Sequence, residues 1–159
     1  MTSMTSNQPS VVDQDALSVR RTILISAPVE KVWSAVTEPE HISRWFGRAS
    51  FDGAGVGTRG TLTFGDRRVP LRVEAMVEPT TVTYRWGNDD ALAVLPDEVD
   101  DEHSTVFTFT LDPVEGGTRL TVVETGFEAT SAPAENLEDH REGWDSELDK
   151  LVALFGGGS

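Results

Sequence analysis

Between Arg20 and Phe46 the sequence changes its hydrophobic period twice, and few folds accommodate that order. Arg20 to Ser26 is rich in strand-forming residues. Val29, Val32, Trp33 and Val36 then recur at i, i+3, i+4 and i+7, which lays one apolar stripe along a helix. Pro28 suits the first helical turn, where the amide it lacks would have no intrahelical partner. Pro39 restarts the chain in the same way, and Ile42, Trp45 and Phe46 make a second, shorter stripe. The segment predicts a strand followed by two short helices.

The middle of the chain reads as hairpins. Asp52 to Gly57 is a glycine-rich turn region, Thr58 to Phe64 a strand, and Gly65-Asp66 a tight turn. Val69, Leu71, Val73, Ala75 and Val77 alternate with more polar neighbours, which predicts one apolar face. Pro70 argues for a strand end or edge at that point. Val82, Tyr84 and Trp86 follow after Glu78-Pro79-Thr80-Thr81. The acidic stretch Gly87 to His103 interrupts the pattern, with an apolar piece from Ala91 to Leu95. Strands resume at Ser104–Leu111, with Phe107, Phe109 and Leu111 on one face, and at Thr118–Thr125. Short turns between such runs favour antiparallel pairing.

From about Asn136 to Phe155 apolar residues repeat at three and four, predicting an amphipathic helix of ~30 Å. Gly143 is anomalous, because a mid-helix glycine costs about 1 kcal/mol relative to alanine. Its expected reason is a neighbour approaching the backbone beside Trp144. The long helix is the one element large enough to cover the concave face of a curved sheet.

Bulk properties exclude several classes. The length of 159 residues suits a single domain. Residues 1–16 read as a disordered leader, 17–155 as the domain and 156–159 as a flexible tail. No run is apolar enough to span a membrane, and the N-terminus lacks a secretory signal. The absence of cysteine removes disulfides, thiolate metal sites and a cysteine nucleophile, and fits a cytoplasmic protein. A formal net charge of −14 disfavours nucleic acid and anionic membranes as partners.

Four segments resemble one family. They are Ile25 to Trp33 running on to Trp45-Phe46, the hairpin Val77 to Trp86, Gly116 to Phe127, and Gly143-Trp144 with Leu148, Leu151 and Leu154. Together they resemble the START-like (SRPBCC) superfamily, in the branch named after the activator of the heat-shock protein 90 ATPase. The resemblance implies an α+β helix-grip fold of the Bet v 1/START-like kind. In it a curved antiparallel sheet wraps a long C-terminal helix, and two short helices follow the first strand. It also implies an apolar cavity between sheet and helix. Some members bind lipids, polyketides or hormones, and some catalyse reactions there. The resemblance covers only one part of the eukaryotic co-chaperone and the additional chaperone-binding domain is not expected here, so that role does not follow from the name.

The expected function is therefore binding of a small hydrophobic or aromatic ligand. The candidate ligand-binding residues are Trp45, Phe64, Tyr84, Trp86, Phe109, His140, Arg141, Trp144 and Leu148. Trp and Tyr offer a broad apolar face with one polar tip. Arg141 could meet a ligand carboxylate, with surface pairing to Glu138 as the duller option. An enzyme using His140 and Tyr84 for acid–base chemistry is the alternative, and a chaperone-assisting domain the third reading. No catalytic set, metal site or cofactor is expected. His41, His103 and His140 lack zinc spacing. Gly55-x-Gly57-x-x-Gly60 precedes a strand, not the helix a dinucleotide loop needs. Asp97 to His103 lacks calcium-loop spacing. A homodimer stays open at this level.

Overall fold

The computed structural model describes residues 7–89, 92 and 95–156. Its strands are β1 (Val11–Asp13), β2 (Ser18–Ile25), β3 (Arg48–Phe51), β4 (Arg59–Phe64), β5 (Arg67–Val77), β6 (Thr81–Trp86), β7 (Thr105–Val114) and β8 (Gly117–Thr125). They form one antiparallel sheet in the order β1-β2-β8-β7-β6-β5-β4-β3. Helices α1 (Val29–Thr37) and α2 (Pro39–Ile42) lie between β2 and β3, and α3 (Pro133–Leu154) ends the fold. This is the helix-grip arrangement. Every sheet neighbour except the β2–β8 pair is a sequence neighbour, so β2 closes the sheet beside the last strand.

Alternation decides which side chains face the helices. Val19, Arg21, Ile23 and Ile25 of β2 are buried, as are Leu120, Val122 and Glu124 of β8 and Phe107, Phe109 and Leu111 of β7. On α3 the buried set is Asn136, Leu137, His140, Trp144, Leu148, Leu151 and Val152. That set follows the helical period and seats α3 against the sheet at β2.

Five local expectations change. First, the segment read as a leader contributes the edge strand β1, whose Val11–Asp13 pairs with Ser18–Arg20. Its foothold is the buried Arg21, which donates to Gln8 O, Trp144 O and Asp145 O and pairs with Asp149 at 2.7 Å. Ser10 is fixed in turn to Asp145 through its amide and hydroxyl. Residues 1–6 and 157–159, also read as leader and tail, lie outside the described residues. Second, the alternation of β5 does not hold to its end. A bulge between Val73 and Ala75 in the pairing with β6 moves Ala75 and Val77 to the exposed face and turns Met76 toward the core.

Third, α3 begins at Pro133 rather than near Asn136, with the proline in the first turn. Fourth, Pro70 lies inside β5, yet it faces Gly87 just past the end of β6, and its carbonyl accepts from Gly87 N at 3.0 Å. The amide it lacks therefore interrupts no ladder of β6. Fifth, α3 is not the only cover. Helix α1 packs on β7 and β8, and Trp45 and Phe46 behind α2 enter the same core.

The other motifs are structural. Gly55 and Gly57 take positive φ in the turn before β4, and Gly60 lies in the strand, where a Cβ would collide with Ser50 O. Acidic residues of the 97–103 stretch fasten it to the sheet through Arg59–Glu98 and Arg72–Asp101 pairs, and His103 pairs locally with Asp100. Part of the apolar piece expected at Ala91 to Leu95 lies outside the described residues.

The centre of the grip is filled by aromatic rings. Tyr84 and Phe107 lie 5.3 Å apart, Trp45 and Phe46 are stacked at 4.8 Å, and Phe109 meets Trp45 edge-on at 6.2 Å. The void left among these residues is about 10 Å³. Two polar tips in this region are consumed by α1: Trp45 Nε1 donates to Ala35 O at 2.7 Å and Tyr84 Oη to Val36 O at 2.6 Å. Tyr84→Phe therefore leaves a buried carbonyl unpaired. We expect it to lower stability by about 1–2 kcal/mol in a denaturant melt, while leaving any ligand affinity unchanged.

Candidate functional site

Glu124 of β8 is fully buried, a position that an isolated carboxylate does not tolerate. Here donors from three other elements converge on it. Trp86 Nε1 of β6 donates to Oε2 at 2.8 Å and Thr105 Oγ1 of β7 donates to the same atom at 2.6 Å. Trp144 Nε1 of α3 donates to Oε1 at 2.8 Å, and His140 Nδ1 lies 2.9 Å from both oxygens. His140 Nε2 faces Asn88 O at 3.0 Å, an atom that only accepts, so that nitrogen carries a proton. With three neutral donors already on the carboxylate, Nδ1 is best served as a fourth. The pair is then an imidazolium held against a carboxylate. Desolvation pushes the Glu124 carboxyl up, but the charge and hydrogen bond of His140, with Thr105 and Trp86, outweigh it and hold the group below the usual carboxylate range.

This cluster holds Trp86 and Trp144 with their indole planes 29° apart and centroids 6.0 Å apart. Phe46 sits 5.7 Å from Trp86 and 5.5 Å from both Trp144 and Phe64. The rings line a cavity of about 220 Å³ that opens to solvent and is completed by Arg67, Asn88, Asp139, His140, Gly143 and Glu147. The lip is clamped. Arg67 donates to Asn88 Oδ1, Asp89 O and Leu92 O, while buried Asp89 accepts from Ser131 and from Asn136 Nδ2.

Gly143 has a different role from the one its sequence position suggests. Apart from its chain neighbours and the adjoining helix backbone, no atom lies within 4 Å of where its Cβ would stand. It leaves a notch in the cavity wall rather than admitting a neighbour. Burial holds the Glu147 carboxyl above the usual range.

The candidate residues thus divide. Phe64, Trp86, His140 and Trp144 stand on the cavity wall. Trp45, Tyr84 and Phe109 border only the 10 Å³ void of the packed core. Leu148 is wholly buried and lies off the cavity wall. Arg141 also lies off that wall, its guanidinium spent on Glu138 and Asp145, so it does not face a ligand there. Sequence reasoning missed Phe46, Arg67, Asn88, Asp139, Gly143 and Glu147 as wall residues, and Glu124 behind them. Asp139, Gly143 and Glu147 share a four-residue spacing that marks one helical ridge. Glu124 shares the parity of Leu120 and Val122, a pattern that signals an inward carboxylate.

Three larger hollows, of about 1100, 780 and 460 Å³, are surface troughs beside β2–β8, beside α1, and between the start of α1 and the β7–β8 turn. None of the three brings together the aromatic cluster found at the smaller cavity. Among the described residues no group of His, Asp and Glu converges as a metal site, and no helix is long and apolar enough to cross a membrane.

Sheet, gripped helix and aromatic cavity define a START-like domain. The chain belongs to the family described as "Activator of Hsp90 ATPase homolog 1-like protein", whose pattern matches residues 26–156. Among solved structures it is similar to MLL2253 from Mesorhizobium loti, at 28% identity and a TM-score of 0.72 over 87% of this chain and 96% of that one. It is similar in fold to CalU16 from Micromonospora echinospora (21% identity, TM-score 0.70, 99% of this chain, 79% of that one). The match to DynU16 has 23% identity and a TM-score of 0.70 over 89% of this chain, which spans about half of DynU16, 48%. No curated protein matches the sequence.

Two substitutions test the site's construction. Glu124→Gln puts an amide among donors and strands the His140 charge, which should cost about 3–5 kcal/mol. Because the folded carboxyl is held low, its contribution is present above the ordinary glutamate range and disappears as pH falls through the depressed value. Acid melts of the parent should show that loss, and melts of Glu124→Gln should lack it. Gly143→Ala should raise stability by about 0.8–1 kcal/mol, since the helix gains a better former and the methyl meets nothing.

Proposed function

We propose that this protein binds a compact hydrophobic or aromatic small molecule in the cavity between β6 and α3. The observation that carries the reading is the notch at Gly143. It keeps open a space walled by Phe46, Phe64, Trp86 and Trp144, with two of those rings pinned by a buried carboxylate. The volume of about 220 Å³ lies below the ~300 Å³ at which drug-sized pockets begin, so the ligand is a small ring system or enters only in part. Left dry and sealed, such a void would cost about 5 kcal/mol at ~24 cal/mol per Å³. Its opening to solvent relieves that cost, and a ligand would reverse it. The fold shared with DynU16, a putative protein in the dynemicin biosynthetic locus, is in keeping with a small-molecule setting.

A second reading is an enzyme in which His140 moves a proton. It has one observation behind it: an imidazole on the cavity wall whose Nδ1 is fixed by Glu124. It loses its proposed partner, because Tyr84 is buried in the core, bonded to Val36 O, and burial pushes its hydroxyl far from titration at neutral pH. A chaperone-assisting role would need a broad apolar patch. Among the described residues, the large exposed apolar side chains Val11, Leu24, Val56, Val77, Leu92 and Leu154 are spread over different strands, loops and α3.

The test is a titration of neutral aromatic compounds, read by tryptophan fluorescence and thermal shift, with Gly143→Leu as the blocked variant. Binding should perturb emission, because Trp86 and Trp144 line the cavity, and the leucine should weaken it at least about tenfold, or ~1.4 kcal/mol. Binding that is unaffected in a folded Gly143→Leu protein would place the ligand elsewhere and overturn the assignment.

A further inference from the structure

The cavity's polar groups are unequal in what they have left to offer. Arg67 turns its donors to Asn88, Asp89 and Leu92 on the lip. The charge of His140 is matched by Glu124. The carboxylates of the wall are differently placed. Asp139 is exposed at the rim and has no ion pair or hydrogen bond from its side chain among the described residues. Glu147 is largely buried, and its Oε1 is shielded from solvent without an aligned hydrogen bond. Lys150 Nζ stands 2.9 Å away, so that contact is one of charge, made from a side chain that is itself half exposed.

These carboxylates flank the notch. Asp139 lies one turn before Gly143 and Glu147 one turn after, on the same ridge of α3. The floor between them is aromatic, formed by Phe46, Phe64, Trp86 and Trp144. Ring faces carry negative charge density and attract cations, most strongly those that are weakly hydrated, such as alkylated ammonium groups. The −14 net charge of the chain draws the same ligands from a distance.

We propose that the cavity selects a compact organic cation, a tertiary or quaternary ammonium joined to an apolar or aromatic body, with the ammonium in the Gly143 notch between Asp139 and Glu147 and the body on the rings. This rests on the small-molecule reading above and adds the charge of the ligand to it. Burial holds the Glu147 carboxyl above its usual range despite the Lys150 pair, and an entering cation adds a second counter-charge on the cavity side.

The experiment compares benzyltrimethylammonium with its uncharged isostere neopentylbenzene and with phenylacetate, by tryptophan fluorescence and calorimetry at low ionic strength. The parent protein should bind the cation about tenfold or more tightly than the isostere, and phenylacetate least. Asp139→Asn with Glu147→Gln should bring cation and isostere within about threefold of each other, chiefly through weaker cation binding. Asp15→Asn with Glu115→Gln alters net charge equally at remote exposed sites and should preserve the preference. Equal binding of cation and isostere, or preference for phenylacetate, overturns the cation assignment and leaves the small-molecule reading standing. A preference that survives the Asp139/Glu147 pair, or is lost with the remote pair, overturns the notch as its source. Failure of all three compounds to bind a folded protein overturns both readings.

Discussion

The fold depends on an ion placed where ions are costly. A carboxylate with no solvent exposure loses several kcal/mol of hydration, and it is tolerated only if charge and hydrogen bonds replace the water. Glu124 meets that condition by gathering Trp86, Thr105, His140 and Trp144. Those donors come from β6, β7 and α3, while the acceptor comes from β8. Hydrophobic contact alone would let α3 slide or rotate over a smooth sheet face. Directional bonds to one carboxylate remove that freedom, because a shift of one helical turn would leave Glu124 and the His140 charge uncompensated. The same bonds orient two indoles, so the interaction that docks the helix also builds the cavity wall.

The position of the open space follows from how the rings divide. In the middle of the grip Trp45, Tyr84, Phe107 and Phe109 fill the volume, and Ala35 and Val36 of α1 absorb two of their polar tips. Toward α3 the rings lean on Glu124 instead, and Gly143 contributes no side chain. A domain of this size could not leave a large dry void at its centre without losing much of a stability of ~5–15 kcal/mol. Packing the centre and opening a smaller hollow at the edge resolves the conflict between stability and binding.

Period was the most legible property of the chain. The switch from alternation to helical stripe between Arg20 and Phe46, the hairpin runs, and the long final helix all follow from side-chain spacing. The bulge in β5 was not legible, because Val69 to Val77 alternates cleanly and only the pairing partner reveals the extra residue. Nor was β1, a three-residue strand whose order depends on Arg21 and Asp145, remote in sequence from each other. Around the cavity, aromatic type picked out Phe64, Trp86 and Trp144, which stand on its wall. It could not separate them from Trp45 and Tyr84, whose polar tips reach carbonyls of α1, whereas those of Trp86 and Trp144 reach the Glu124 carboxylate. Arg141 was misleading for a local reason: Glu138 and Asp145 on its own helix satisfy it first.

Gly143 shows how a local violation becomes evidence. A glycine in the interior of a helix is tolerated for close approach, for unusual backbone geometry, or for empty space. Nothing approaches its Cβ position, and the residue lies within a continuous helix, so the first two reasons fail. What remains is the space itself. His140 stands one turn earlier on the same helix and joins that space to both the interior and the lip, through Glu124 on one ring nitrogen and Asn88 on the other. Any occupant that displaces the Asn88 carbonyl must satisfy a proton whose ring is already anchored from behind. The buried ion thus extends its influence past the packing of the helix, to the terms on which the cavity admits a guest.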